Sequence, residues 1–266
     1  MTELFHLRRG AAPLLVSMPH VGTYLPPALA ARMTEAALLV ADTDWHVDRL
    51  YDFLDALGAS VLCPTHSRYV VDLNRPPDGT NLYPGQDTTA LVPVDTFARE
   101  PLYRPDAAPD EREIAERVDR YWRPYHDALR RELDRLRAAH GYALLWDAHS
   151  IASELPRFFA GRLPDLNFGT AAGASCAPPI ETAVFEEARR TSAYSAVLNG
   201  RFKGGYITRA YGRPADRVHA MQLELSQRTY MNEPAPFEFR EDLAARLRPA
   251  LRRFLEAFLS AAAASA

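Results

Sequence analysis

Two histidines follow apolar runs of the chain, and an aspartate lies at the start of a predicted helix. His20 ends "PLLVSMPH" and His149 ends "YALLWDAH", and both runs are typical of buried strands. Asp44 opens a predicted helix, "DWHVDRLYDFLDALG". Two imidazoles and one carboxylate form a common ligand set for catalytic zinc, with a fourth position left for water. The three residues are candidate metal ligands, against the alternative that each histidine is a hydrogen-bonded strand end and the aspartate a helix cap.

The choice of aspartate stays open at this point, because three lie close together. Asp42 competes with Asp44 and is also a plausible helix N-cap. Asp48 lies one turn further into the helix beside Arg49, which is more typical of a surface ion pair. Asp147 lies in the same segment as His149, two residues before it, and is a candidate for orienting a ligand from behind the metal site.

A further carboxylate interrupts the apolar pattern of "HAMQLEL". In a strand, residues 219, 221, 223 and 225 share one face, while Gln222 and Glu224 lie on the other. A carboxylate on a covered face costs several kcal/mol unless it has a partner or stays protonated. Glu224 is therefore a candidate general base that takes a proton from a metal-activated water. The alternative is an edge strand with one solvated face.

Cationic residues near turns suggest a site for an acidic substrate. Asn74 and Arg75 follow "RYVVDL", and an arginine binds a carboxylate through two parallel hydrogen bonds. Gly204 and Gly205 permit close backbone approach to a ligand, although a flexible hairpin explains them equally well. Three neighbours of these glycines are candidates for substrate binding: Arg209, with Tyr206 and Arg213 as outer candidates.

The elements that must position these residues alternate between strand and helix patterns. Such alternation predicts an α/β sheet covered on both faces, with the ends of parallel strands meeting at one edge. Strands are predicted over 13–18, 59–63, 68–73, 142–147, 195–199 and 219–225. Helices are predicted over 44–58, 110–140 with a kink or break at Pro124, and 240–262. The segments 74–109 and 152–179 lack periodicity and are expected to fold over the sheet edge as functional loops.

Composition points to one ordinary globular domain over residues 1–266. A formal charge of -3 gives no reason to expect nucleic acid or an anionic membrane as a partner. Two cysteines cannot form a disulfide framework, and the first residues do not resemble a signal peptide, so a cytoplasmic protein is expected. The chain is expected to act as a monomer or small homo-oligomer on a small molecule that carries carboxylates.

Nine segments in this order resemble the N-formylglutamate amidohydrolase family, and they run from about residue 14 to 232. The segments are "SMPHVGTYLP", "DTDWHVDRLY", "SRYVVDLNRPP", "LYPG", "YWRPYH", "LLWDAHSI", "LPDLNFGT", "NGRFKGGYITRAYG" and "VHAMQLELSQRTYM". The resemblance implies cleavage of N-formyl-L-glutamate to formate and L-glutamate, a late step in bacterial histidine breakdown. It also implies a three-layer phosphorylase/hydrolase-like fold with a mixed, mostly parallel central sheet, similar to zinc-dependent exopeptidases.

The resemblance further implies roles for individual residues. His20, Asp44 and His149 would hold one divalent metal ion, zinc by preference, although cobalt, manganese or iron also suit two nitrogens and one oxygen. Glu224 would accept a proton from the attacking water and pass it to the departing amine. Asn74, Arg75 and Arg209 would bind the substrate carboxylates.

Two alternatives to this function follow from the sequence. One is a hydrolase of another N-acyl amino acid or a small peptide. The other is a non-catalytic binder of an acidic metabolite, which would have no need of Glu224. A serine hydrolase is disfavoured because the chain has no G-x-S-x-G segment.

Overall fold

In a computed structural model, which describes residues 3–83 and 85–265, seven strands form one sheet in the order β1-β3-β2-β4-β7-β5-β6. Four neighbouring pairs are parallel and two, β1 with β3 and β5 with β7, are antiparallel. The predicted mixed, mostly parallel α/β sheet is therefore confirmed. The strands are β1 (Phe5–Arg8), β2 (Leu14–Ser17), β3 (Ser60–Pro64), β4 (Ala143–Ile151), β5 (Leu166–Gly169), β6 (Ala196–Leu198) and β7 (Val218–Ser226).

Helices cover both faces of the sheet, which gives three layers. On β4, Leu144 and Trp146 pack into one buried cluster while Leu145 packs into another, as the alternation of side chains along a strand requires. The helices are α1 (Pro27–Ala30), α2 (Glu35–Leu38), α3 (Val47–Leu50), α4 (Glu111–Arg117), α5 (Arg123–His140), α6 (Pro178–Arg190), α7 (Tyr206–Tyr211) and α8 (Glu241–Ser265). α3, α6 and α8 contribute to the first cluster, and α5 and α7 contribute to the second.

The long helical segment before β4 is disturbed where the sequence predicts it. A π-helical turn over Val118–Trp122 separates α4 from α5, directly ahead of Pro124. Because proline has no backbone N–H and clashes with the preceding turn, the helix accommodates it by widening one turn. The amide of Arg123 still bonds to the carbonyl of Val118, so the two helices remain continuous.

The strand predicted over residues 68–73 is wrong. This segment forms turns outside the sheet. Its apolar residues do not alternate between two faces: Tyr69 and Val70 pack in one cluster, and Val71 packs in another. An ion pair between Arg68 and Asp72, 2.6 Å apart, closes the turn. The apolar run therefore reflects burial between layers and not strand pairing.

Other boundaries also differ from the prediction. The helix predicted over 44–58 is α-helical only at α3, and turns continue it to Gly58, whose φ of +64° ends it. β5 lies within a segment predicted to be a loop, and β1 and α6 were not predicted. Short strands and edge strands have few residues in which to show a period, so pattern detects them poorly. Within the described residues, no helix is long and apolar enough to cross a membrane.

We predict that Phe254→Ala lowers the free energy of unfolding by about 3–5 kcal/mol, because it removes a fully buried ring and leaves a cavity. Phe254 lies in α8 and packs edge-on against Phe168 of β5, with 5.5 Å between ring centroids. Urea denaturation measures the loss. Arg252→Ala, which removes a surface side chain of the same helix, is the control and should change stability by about 0.5 kcal/mol or less. Equal stability of the two variants would contradict this account of the core.

Candidate metal centre and active-site cleft

The candidate site lies where three neighbouring parallel strands end. β2 leads to His20, and β4 and β7 carry Asp147, His149, Gln222 and Glu224. In the β4–β7 register Asp147 is opposite Gln222, and His149 is opposite Glu224. The four side chains therefore lie on one face of the sheet, next to each other in two rows, as expected at the carboxyl edge of a parallel sheet.

His20, Asp44 and His149 form a compact cluster. One ligand atom from each lies within 4.8 Å of the other two, and all three residues are buried. His149 Nδ1 is 2.9 Å and His20 Nδ1 is 3.7 Å from the same oxygen, Asp44 Oδ2. The three predicted ligands, which span more than a hundred residues of the sequence, therefore meet at one point. Two imidazole nitrogens and a carboxylate oxygen suit zinc and similar divalent ions, so the donor set fits a metal centre.

Two further carboxylates lie behind the histidines. His20 Nε2 is 2.8 Å from Asp72 Oδ1, and His149 Nε2 is 3.2 Å from Asp147 Oδ1. Metal-bound histidines usually donate their second N–H to a carboxylate, which fixes the ring and increases its basicity. Asp72 makes such a hydrogen bond with His20, whereas Asp147 lies beside His149 at the predicted supporting position, with its Oδ1 lacking a hydrogen-bond partner among the described residues.

The electrostatics of the cluster keep its aspartates ionised. Burial alone would raise the pKa of Asp44, but the nearby charge of His20 and the hydrogen bond with His149 outweigh it and lower that pKa below its usual range. Burial would raise the pKa of Asp72 as well, but Arg68 and His20 outweigh this effect and hold that pKa well below its usual value. A metal site requires deprotonated ligands, and Asp44 meets that requirement.

The structure also distinguishes among the three nearby aspartates. The backbone N–H of Asp44 donates to the carbonyl of His20, 3.0 Å away, which holds the residue beside the first histidine. Asp42 accepts instead from the backbone N–H of Phe97, and Asp48 is exposed on α3. Arg49, the partner predicted for Asp48, forms its ion pair with Glu241. By position, Asp44 is the carboxylate of the cluster.

Glu224 faces the cluster from the central strand β7. The alternative of an edge strand with a solvated face is wrong, because β7 lies between β4 and β5. Burial raises the pKa of Glu224 to about 8, an effect that the charge of His149 partly offsets. Gln222 Nε2 lies 3.3 Å from Glu224 Oε2, and its Oε1 accepts from the N–H of Gly205, 2.7 Å away. Gln222 thus connects the carboxylate to the backbone of the neighbouring loop.

Asn74 is placed against the metal cluster. Its Nδ2 lies 2.9 Å from His149 Nε2, and its Oδ1 accepts from the N–H of Ile207, 2.8 Å away. A Cβ at Gly205 would lie 2.4 Å from the Asn74 amide, so glycine is needed there for close approach. The Gly204-Gly205 turn leads into α7, and the hairpin alternative is wrong.

The other predicted substrate-binding residues are divided between the cleft and its surroundings. Arg75 lines the cleft. Tyr206 packs against Trp122, with ring centroids 5.5 Å apart. Arg209 donates to the carbonyl of Gly204, and Arg213 forms an exposed ion pair with Asp216. Tyr206, Arg209 and Arg213 do not line the cleft within the described residues. Their role in substrate binding stays a prediction.

The cleft above the cluster encloses about 620 Å³, including its open mouth. Both long loops contribute to its wall, as predicted, through residues such as Tyr83 and Phe158. Sequence reasoning missed two arginines that line it, Arg68 and Arg201. Both lie in segments that carry the family resemblance, "SRYVVDLNRPP" and "NGRFKGGYITRAYG", but Arg68 falls in the stretch interpreted as a strand, and Arg209 and Arg213 were predicted in preference to Arg201. The cleft is lined by His20, Asp44, Arg68, Asn74, Arg75, Tyr83, Asp87, Thr88, Phe97, His149, Ser150, Ile151, Phe158, Arg201, Phe202, Gly205, Gln222 and Glu224.

The fold and the cluster define a class of α/β protein with a buried two-histidine, one-carboxylate centre at the end of a mostly parallel sheet. Residues 12–231 match the N-formylglutamate amidohydrolase family, and the chain belongs to that family. It is 53% identical to an N-formylglutamate deformylase of Pseudomonas aeruginosa and 50% identical to one of Pseudomonas putida. Each alignment spans 260 residues, 98% of this chain and 97% of the relative.

Solved structures agree with this assignment. The fold is similar to a crystal structure of N-formylglutamate amidohydrolase from Ralstonia eutropha JMP134, with a TM-score of 0.81 and 26% identity over 97% of both chains. A gene product of Agrobacterium tumefaciens shares the fold, with a TM-score of 0.70 and 19% identity, over 97% of this chain and 96% of that one. The family resemblance seen in the sequence is confirmed.

A buried histidine supports the loop that carries Asn74. His126 stacks on Trp122 with ring centroids 3.6 Å apart, and its Nε2 lies 2.8 Å from the carbonyl oxygen of Leu73. Its Nδ1 lies 3.0 Å from the Tyr211 hydroxyl. Burial lowers the pKa of His126 to about 3, so the ring stays neutral in the folded protein at pH values where it is protonated in the unfolded chain.

We therefore expect His126 to make stability depend on pH between about 6.5 and 3. Its contribution is fully present above pH 6.5 and is lost as the pH falls, because only the unfolded chain then binds the proton, at up to roughly 1.4 kcal/mol per pH unit. Urea denaturation of chelator-treated protein at several pH values measures the slope. His126→Gln should show a shallower slope than the wild type, and identical slopes would contradict the assignment.

Proposed function

We propose that this protein is a metal-dependent, by preference zinc-dependent, hydrolase that cleaves the formamide C–N bond of N-formyl-L-glutamate to formate and L-glutamate. The observation that carries the proposal is the buried His20, Asp44 and His149 cluster, which shares one cleft with Glu224. The two deformylases to which the chain is about 50% identical support the substrate. We further propose that the reaction belongs to histidine breakdown, as the resemblance in sequence implies, and that it takes place in the cytoplasm.

The metal would be held by His20, Asp44 and His149, and a bound divalent cation supplies Lewis acidity that polarises the formyl group and acidifies the attacking water. Asp72 and Asp147 hold the two imidazole rings from behind. This support fixes the rings without using the nitrogens that face Asp44. The protein thus contributes a rigid, anionic site before the substrate arrives.

Glu224 acts as the base and then as the acid. It takes a proton from the attacking water as the water oxygen bonds to the formyl carbon, and it donates that proton to the amide nitrogen as the C–N bond breaks. The products are formate and the free amine of L-glutamate. A buried carboxyl group with a raised pKa suits both steps, because it binds and releases a proton near neutral pH. Gln222 orients the carboxyl group through its amide.

Two arginines and an amide surround the reacting group. Arg68 is buried beside the cluster, with Nη1 3.8 Å from Asp44 Oδ1, and it would stabilise negative charge on the formyl oxygen. Arg75 adjoins Asn74, which touches His149, and these two residues would bind the α-carboxylate next to the scissile amide. Tyr206, Arg209 and Arg213 are left as outer positions, since other contacts occupy them.

We predict that His20→Ala and His149→Ala each lose bound metal, because either change removes one of three ligands. Metal content after extensive dialysis, measured by mass spectrometry, tests this. His140→Ala removes an exposed histidine of α5 and should keep the wild-type stoichiometry. Full metal content in either site variant would remove that residue from the ligand set.

Glu224→Gln should retain the metal and lower kcat for N-formyl-L-glutamate by about 10²–10⁴-fold, since an amide cannot accept the proton. A coupled assay for released formate measures kcat, and metal analysis of the same sample confirms loading. Glu116→Gln, which neutralises an exposed carboxylate of α4, is the matched control and should behave as the wild type. Undiminished turnover of the loaded Glu224 variant would exclude it as the base.

The preference of the enzyme among acyl groups can be tested with N-formyl-, N-acetyl- and N-succinyl-L-glutamate. If the enzyme is a deformylase, kcat/KM should be highest for the formyl compound, and adding a methyl group should cost at least about 10-fold. Release of L-glutamate from each compound gives a common readout. Preference for a larger acyl group would favour the alternative of another N-acyl amino acid hydrolase. Binding without hydrolysis by the metal-loaded protein would favour a metabolite binder.

A further inference from the structure

Three arginines line the cleft, but only one has a carboxylate partner within the described residues. Arg68 is paired with Asp72, 2.6 Å away. Arg75 and Arg201 make no ion pair in residues 3–83 and 85–265, although both are at least partly buried. Partly desolvated cations facing one cleft favour binding of an anion there.

The anionic residues of the cleft already have other partners. Asp44 lies among the metal-site histidines, and Asp87 is paired with Arg99 and Arg157. Glu224, the third carboxylate of the cleft, contacts Gln222, and the charge of Arg75 acts on Asp72 without an ion pair, so Arg201 is the arginine of the cleft wall with the least compensation by a carboxylate of the described residues. Two carboxylates would neutralise Arg75 and Arg201, and N-formylglutamate carries two.

Neutral groups hold both guanidinium groups in place. Arg75 donates from Nε to the carbonyl of Thr89 and from Nη2 to the hydroxyl of Thr89, at 3.1 and 3.2 Å. Arg201 donates from Nε to the carbonyl of Phe158, 2.7 Å away, and this leaves the hydrogen-bonding capacity of its two terminal nitrogens for a ligand. Burial lowers the pKa of Arg201, and the charge of Arg75 adds to this effect, so the two cations are near enough to interact.

We propose that Arg201 binds the side-chain carboxylate of the substrate and so selects N-formyl amino acids with an acidic side chain. The assignment rests on the proposed function and extends it to a residue outside the metal cluster. Arg75 follows Asn74, which touches His149, and it is the arginine closer in the chain to the reacting group. Arg201 is anchored instead to Phe158, in the loop between β4 and β5. We therefore assign Arg201 to the side-chain carboxylate, which lies further along the substrate from the scissile amide.

Apolar rings reinforce the position of Arg201. Its guanidinium carbon lies 5.5 Å from the centre of the Phe202 ring and 6.0 Å from that of Tyr83. These rings limit the access of water, and a charge pair in such surroundings is stronger than one on an open surface. A glutamine side chain in the substrate would leave the guanidinium without a counter-charge and should bind much less well.

The test compares N-formyl-L-glutamate with N-formyl-L-glutamine, which differ only in the charge of the side chain. For the wild type, kcat/KM should be about 100-fold higher with the glutamate compound. Arg201→Gln should lose about 100-fold with this substrate, chiefly through KM, but change by less than about 3-fold with the glutamine compound. Arg201→Lys should recover part of the loss, because it keeps the charge but not the planar fork.

Two controls separate the possible outcomes. Arg162→Gln removes an exposed arginine paired with Glu154, and it should leave both substrates unaffected. Turnover of N-formyl-L-glutamine by Arg201→Gln shows that the variant is folded and holds its metal. Equal losses with both substrates, or no loss with either, would overturn the role of Arg201 while leaving the deformylase proposal intact. Failure of the wild type to cleave either compound would instead overturn the proposed function.

Discussion

The structure depends on one buried carboxylate, Asp44, held between two imidazole rings. A carboxylate removed from water is costly unless charges and hydrogen bonds replace its hydration. Here His20, His149, the backbone N–H of Ser150 and Arg68 surround it. The same environment keeps Asp44 ionised, and the cluster demands that three distant residues meet at one point in an arrangement that suits a metal ion.

The sheet satisfies that demand by its register. Parallel pairing of β4 with β7 places His149 beside Glu224, and pairing of β2 with β4 brings the segment after β2 to the same edge. The supporting carboxylates come from two sources. Asp147 is on a strand, whereas Asp72 is on a turn that an ion pair with Arg68 stabilises. Strands thus carry Asp147, His149 and Glu224, while His20, Asp44 and Asp72 lie in loops and turns outside the strands.

Charge explains the remainder of the cleft. The carboxylates of the cluster lie against its histidines and Arg68, and the outer wall carries Arg75 and Arg201. The long loops contribute these surroundings with neutral anchors, Thr89 and Phe158, which hold each guanidinium without neutralising it. A wall of this kind favours an anionic ligand and gives a physical reason for the loops to fold over the sheet edge.

The sequence by itself determined the fold class and five of the seven described strands, and it singled out His20, His149 and Glu224 as candidates, because ionisable groups that end or interrupt apolar runs are visible locally. It left Asp42, Asp44 and Asp48 as alternatives, and only the tertiary structure selected Asp44 by placing it against both imidazoles. Residues 68–73 were mistaken for a strand since burial between two layers produces the same apolar run. Arg201 was not singled out from the sequence, because whether an arginine beside a glycine-rich turn has a carboxylate partner depends on the tertiary structure.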